Sequence, residues 1–471
     1  MANRKGLMIA MAALALAAGC HRAAEDGSRA PDRRGDTLVL RHFTLFDGTG
    51  AAPVRDAALV MTNGRISWVG ASADLRIPDG ATVEDLTGKF VMPGIIDSHV
   101  HLGRMKGLEQ DSKYYTVDNV RSQLRLYAAY GVTAVQSLGT DQDAAFEVRA
   151  AERSGRPDMA RVFTAGLGVV YDHGYGGLPG LPQRVDTPEE ARKLVDSQKA
   201  KGADLIKLWM DDEFGDIPRL MPYSISAAVI DQARKDGLKT VAHVFYRDNA
   251  RELMNEGLNG FAHEVRDRPV DDAFVAAMKQ HGTWQMAATL SREASFTYAK
   301  LPFLDDPFFS RGVTPQVLDE LRSDAHVKAA GSARHFAQYP RVLHNAMTNF
   351  AREVRGGVRY GMGTDSGLSG RYIGYFAHWE LELMVKAGLT PLEALTAATG
   401  SNAEFIGASD IGTIAMGKQA DLLVLDRNPL DDIRNTRSIR QVFIAGNSVP
   451  TIWQICVGRQ PEACTGSAGS P

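Results

Sequence analysis

In the run Ile95 to Gly103, "IIDSHVHLG", two histidines stand one residue apart inside a stretch that otherwise reads as buried strand. Successive strand side chains alternate between faces, so His99 and His101 project together while Val100 turns away. Two imidazoles held on one face can ligate a metal. A core histidine beside a strand-end histidine is the competing explanation. Four more residues bear on the choice: Lys207 in "DLIKLWMDD", His243 in "KTVAHVF", His263 in "GFAHEV" and Asp365 in "VRYGMGTD" each interrupt an apolar, strand-like segment near its C-terminal end. Lys207 is the most informative, because a lysine in "LIKLWM" buries an ammonium at a cost on the order of several kcal/mol unless it is paired. Such a lysine snorkels out, pairs with Asp211 or Asp212, or loses its proton and reacts with carbon dioxide to give a carbamate whose two oxygens can bridge two cations.

Residues 93–405 alternate strand and helix, with "IIDSHVH", "GVTAVQSLG", "RVFTAGLGVV", "DLIKLWMDD", "KTVAHVF", "GFAHEV", "TWQMAATL" and "VRYGMGTD" as strands. Helical stretches lie between most of them, one opened by a Thr187/Glu190 capping box and another closed by Gly257. Eight such units predict an α/β fold, a (β/α)8 TIM barrel, in which the C-terminal strand ends converge on one catalytic face. His99, His101, Lys207, His243, His263 and Asp365 would all point there. Ser291 to Gly357 is too long for one helix and predicts an insertion over the barrel mouth. Its Phe296, Tyr298, Phe303, Phe308, Phe309 and Tyr339 form either the insertion's own core or a substrate wall.

Both flanks read as short strands. Thr37 to Phe90 contains an Asn63-Gly64 hairpin signal, and a similar pattern returns in "GTIAMGKQADLLVLD" and "IRQVFIAGNSV". Neither piece can bury a core alone, so residues 37–92 and 406–450 are expected to combine into one small β-sandwich, followed by a tail at 451–471.

Arg4 and Lys5, then the apolar run Gly6 to Ala18 ending in "LAAGC", predict a signal peptide over residues 1–19. The stretch resembles a bacterial lipoprotein signal with Cys20 as the lipidated residue, although Ala17 stands where a leucine is usual, which leaves simple cleavage and release open. Residues 20–36 are polar and read as a flexible tether. The protein is therefore expected to be exported, periplasmic and membrane-anchored through Cys20. The remaining cysteines, Cys456 and Cys464, are free to bridge in such a compartment. A net charge of -3 over 471 residues, with no long basic block, argues against nucleic acid as a partner.

With "VMPGIIDSHVH", "DLIKLW", "AHV", "GFAHE", "GMGTDSG", "AGLTPLEALTAATGSNAEFIG" and "GTIAMGKQADLLVLDRNPLDDI" in this order, the sequence resembles the amidohydrolase superfamily. Within it, the likeness is to the binuclear carboxylated-lysine hydrolases of the imidazolonepropionase-like and prolidase-like branch, over Thr37 to about Val449. The resemblance implies two divalent ions, most often Zn2+. His99, His101, Lys207 and Asp365 would hold one, and Lys207 as N6-carboxylysine, with His243 and His263, the other. Imidazoles and oxyanions that leave coordination positions open suit such ions and let them activate water. Asp365 would act as general base and then acid in hydrolysis of a carbon–nitrogen bond.

Substrate contacts are less constrained. His173 in the "YDHGYGG" loop, Tyr223, Tyr246, Arg266 and Arg268 are candidates; the arginines would suit the carboxylate of a dipeptide or N-acyl amino acid, or else pair with Asp267 and nearby acids. The expected partners are a small-molecule substrate and, for assembly, a further copy of the chain. The same site could instead open an ester, lactone or phosphotriester. A binding lipoprotein with a decayed site is disfavoured because all six ligand positions are filled, and a mononuclear deaminase because Lys207 would have no role.

Overall fold

A computed structural model of the chain describes residues 37–155 and 157–459. The expected signal peptide and tether, with Cys20, and Cys464 lie outside the described residues. Cys456 is disulfide-bonded.

Eight strands from the two flanks join one sheet. Asn447–Val449, Ile439–Ile444 and Leu422–Leu425 follow in that order onto Phe90–Pro93, which pairs with Thr37–Leu45; Val54–Thr62 and Arg65–Ala71 continue it, and Thr82–Asp85 also pairs with Thr37–Leu45. Asn63 and Gly64 both adopt positive φ, as a two-residue hairpin with a right-handed twist requires. The composite β-domain is thus one continuous sheet around its own core, in which Leu40, Leu59, Val91, Leu422 and Phe443 meet. Leu423 and Leu425 point the other way, into the cluster shared with the barrel. Burial on both faces explains why "LLVL" is apolar throughout.

The barrel is a ring of two ladders closed by single bridges. Ile95–Val100, Val132–Ser137 and Arg161–Thr164 form one parallel ladder; Leu205–Met210, Lys239–Val244, Gly260–Phe261 and Trp284–Gln285 form the other. A parallel bridge between Val169 and Leu208 joins them. On the far side Tyr360 bridges Gln285 and Ser366 bridges Val100, both in parallel, so residues 360–366 serve as the eighth stave without a full ladder. Close packing dictates glycine here: a Cβ on Gly363 would come within 2.9 Å of the His99 backbone nitrogen.

The strand pattern of period two sets the direction of each side chain. Ile206, Leu208 and Met210 pack outward against helices, while Leu205 faces the barrel interior; Lys207 and Trp209 share its side of the strand. In the next strand Ala242 and Val244 pack outward, and His243 shares the inner side with Val241. Lys207 falls on the inner face because it is an odd member of an alternating strand.

The insertion after Trp284–Gln285 is helical, ending in the long helix Tyr339–Arg355. Its aromatics divide between the two expectations. Phe303, Phe308 and Phe309 belong to the main core, stacking around Tyr375, Trp379 and Tyr130. Phe296 and Tyr339 pack on each other, and Phe296 lies beneath the Arg292 guanidinium. Tyr298 is exposed.

Candidate metal centre

The C-terminal ends of the barrel strands bring His99, His101, Lys207, His243, His263 and Asp365 into one buried cluster. Ring centroids are 5.5 Å apart for His99 and His101, 4.8 Å for His99 and His263, and 4.2 Å for His243 and His263. His99 lies within its strand and His101 one residue beyond; Asp365 occupies the left-handed backbone region with φ 59°, which aspartate tolerates better than most side chains. The Asp97 carboxylate holds this stave in place by accepting from the backbone nitrogens of His99 and Thr364 and from the Thr364 hydroxyl.

Every one of the four imidazoles has one nitrogen committed to a partner away from the cluster. His99 Nδ1 donates to the Ala262 carbonyl at 2.9 Å, and His243 Nε2 to Asp211 Oδ2 at 2.6 Å. His101 Nδ1 and His263 Nδ1 each lie 2.9 Å from a threonine hydroxyl, Thr140 and Thr289 respectively. A carbonyl and a carboxylate only accept, so they fix the tautomers of His99 and His243 and leave His99 Nε2 and His243 Nδ1 as bare lone pairs. Burial pushes His99 and His263 well below the ordinary histidine value, lowers His101, and brings His243 to about 4, so the rings are neutral.

The His99 lone pair faces an anion. Asp365 Oδ1 lies 3.3 Å from His99 Nε2 and 2.9 Å from His101 Nε2. Burial works to raise the Asp365 carboxyl, but Arg371 and the two histidines hold it well below the usual carboxylate range. At His99, a buried acceptor pointing at a carboxylate is repulsive unless a cation sits between them. Ligand atoms of His99, His263 and Asp365 all lie within 4.8 Å of one another. The donor set therefore fits a divalent metal, and a second partner to each histidine is the usual device for orienting metal ligands.

Lys207 is 1 % exposed and its Nζ has no hydrogen-bond partner among the described residues. Neither acid considered for it is its partner: Asp211 holds His243 and Asp212 accepts from Tyr246. Burial lowers the amine to about 7, with the Asp365 charge opposing and the Arg292 and Arg266 charges assisting.

The cluster opens into a cavity of about 180 Å³, whose wall also includes Tyr175, Trp209, Arg292 and Arg371. Both arginines pair with Asp365 Oδ2, Arg292 at 2.9 Å. The substrate candidates read from sequence lie elsewhere. His173 is turned outward beside Asp172, with its side chain 76 % exposed, and Tyr175, two residues along the same loop, faces the cavity instead. Arg266 is buried and bound to Glu293 and to the carbonyls of Val244 and Glu264. Tyr246 donates to Asp212, Tyr223 to Asn249, and Arg268 pairs with Asp248 and Asp267. Arg292, on the short helix Leu290–Ser295, and Arg371, in the loop after Asp365, belong to no recognisable sequence pattern; position past the seventh strand and past Asp365 is the only signal.

A neutral, lone-pair-rich donor cluster at the C-terminal mouth of a (β/α)8 barrel, with a composite β-domain beside it, defines a barrel hydrolase. The amidohydrolase family model matches residues 90–449, and the chain belongs to that family. It is similar to the ochratoxinase of Aspergillus niger, with 24 % identity over 460 residues covering 87 % of this chain and 84 % of that protein. It is also similar to the imidazolonepropionase of Deinococcus deserti, with 26 % identity over 445 residues covering 87 % and 94 %. The crystal structure of a Xaa-Pro dipeptidase with bound methionine superposes with a TM-score of 0.70, at 20 % identity over 88 % of this chain and all of that one, which supports the fold.

Proposed function

We propose that the protein is a metal-dependent amidohydrolase that cleaves a peptide-like or acyl-amide carbon–nitrogen bond in a small molecule. The observation that carries it is the fixed His99 lone pair set against the ionised Asp365 carboxylate, in a buried cluster that also holds His263 and a lysine with no hydrogen-bond partner among the described residues. Membership of the amidohydrolase family favours this bond class over an ester.

His99, His101 and Asp365 would hold one divalent ion and His243 and His263 another, with Lys207 between the two groups; zinc suits this donor set. Bound there, the ions supply Lewis acidity, which acidifies a water and polarises the scissile carbonyl. Lys207, neutral for about half the time at pH 7, can add its nitrogen lone pair to the carbon of carbon dioxide and release one N–H proton. The product, N6-carboxylysine, carries two oxygens and one negative charge where the ammonium was. Asp365, kept ionised by Arg371 and the histidines, accepts the proton of the attacking water and delivers it to the leaving nitrogen. Tyr175 and Arg292 stand on the cavity wall where an amide substituent would lie.

Lys207→Ala tests this. The variant should lose zinc and turnover of dipeptides and N-acyl amino acids, and acetate or propionate with excess zinc should restore part of both, whereas chloride at equal ionic strength should not. Two zinc ions per chain and full turnover without added acid would refute the bridging role and return the site to a mononuclear one. Hydrolysis of esters or lactones with no amide cleaved would replace the bond class.

A further inference from the structure

The cavity at the metal cluster is small. At about 180 Å³ it falls below the roughly 300–1,000 Å³ that encloses a drug-sized ligand. An amide that places its reacting carbonyl there must extend any bulky group beyond it.

A second cavity, of about 650 Å³, adjoins the first, and the two share Leu368 and Arg371 as a common wall. Its lining is mainly apolar and includes Leu108, Leu126, Val313, Val317 and Tyr372. Three of the segments that line it also surround the reacting groups. Leu108 follows the paired histidines, Leu368 and Tyr372 follow Asp365, and Val313 and Val317 come from the insertion, Val317 on the helix Pro315–Arg322.

We propose that this larger cavity is the specificity pocket for the apolar portion of the substrate, so that the preferred substrates are amides bearing a bulky aryl or long acyl group. The assignment rests on the amidohydrolase reading above. Volume sets the need for it, the shared Leu368 and Arg371 place the two cavities side by side, and the apolar lining sets the chemistry, because burying an aryl group removes it from water in proportion to its area. Leu368 and Arg371 then mark the junction where the substrate passes from the apolar pocket to the metal cluster.

The zinc-loaded full chain is tested with N-(2-naphthoyl)glycine and N-acetylglycine. Val317→Trp and Leu108→Trp each fill the pocket from a different segment, the second from the turn between Met105–Lys106 and Glu109–Gln110. Both variants should lower the ratio of kcat/KM for the naphthoyl over the acetyl conjugate at least tenfold, with wild-type zinc content and unfolding midpoint. Naphthoyl fluorescence measures binding independently of turnover and should show affinity at least tenfold weaker in both variants. If the wild type cleaves neither conjugate but binds the naphthoyl group, and the tryptophans abolish that binding, the pocket stands and the amide reading fails. Unchanged ratios and affinities in both variants, or no naphthoyl binding by the wild type, would overturn the pocket. A change of oligomeric state with the ratio retained would also overturn it and assign the surface to a contact between copies of the chain.

Discussion

Replacing Lys207 with methionine should stabilise the metal-free protein while abolishing metal retention. The amine is fully enclosed, lacks a hydrogen-bond partner among the described residues, and is lowered from its ordinary 10.5 to about 7 by burial. That depression corresponds to about 5 kcal/mol of lost preference for the charged form, of which about 4 kcal/mol opposes folding at pH 7. The sign follows from proton binding. Between pH 7 and 10.5 the unfolded chain holds a proton on this lysine that the folded chain does not, so folding is penalised increasingly as pH falls from 10.5 and the penalty levels off below 7. Methionine has similar length and no charge, and should remove the penalty. For a chain of this size, with an unfolding entropy of about 2 cal/mol/K per residue, about 4 kcal/mol corresponds to a midpoint rise of roughly 4–5 °C. Thermal unfolding of chelator-treated, carbon dioxide-free wild type and Lys207→Met at pH 7 and pH 10 is the assay. The gain should be present at pH 7 and mostly gone at pH 10. With zinc and bicarbonate added, the wild type should overtake the variant, because only it can bind the ions. Equal midpoints at pH 7 without metal would refute the reasoning, since Lys207 would then be paired or solvated in the folded protein.

Asp365→Asn keeps the shape and one coordinating oxygen but cannot take a proton, so turnover should drop by about three orders of magnitude or more while much of the zinc remains, checked by metal analysis beside steady-state kinetics. Asp211→Asn weakens the acceptor that orients His243 and should cost about 10–100-fold in zinc affinity, read by competition with a chromophoric chelator; an unchanged affinity would mean that His243 is oriented by its packing alone. For the N-terminus, Cys20→Ser should move the protein from the membrane to the soluble fraction with activity intact, and a wild type found wholly soluble in the periplasm would end the anchor proposal.

Much of the fold follows from local pattern. Strand alternation alone puts His99 and His101 on one face and sends Lys207 inward between Ile206 and Leu208, because period two admits no other arrangement in a strand packed on both sides. Recurring strand–helix units predict the barrel, and the gathering of ligands at its mouth follows from parallel strands sharing one C-terminal end. The eighth stave was legible only as "VRYGMGTD"; its two single bridges and the positive φ of Asp365 depend on neighbours 75 and 266 residues away in sequence, Tyr360 to Gln285 and Ser366 to Val100. Tertiary structure alone decided which polar side chains reach the cavity. His173 and Tyr175 sit two residues apart in one loop, and turn geometry sends the first outward and the second in. In sequence Arg266 reads as a contact for a substrate carboxylate or a partner of Asp267 and nearby acids, but Glu293, from the segment after a different strand, claims it. The partners that fix the imidazoles, Ala262, Thr140, Asp211 and Thr289, also come from strands other than those of the histidines they hold or from the loops after them. A donor's identity is local, whereas its partner is set by which strands the ring places side by side.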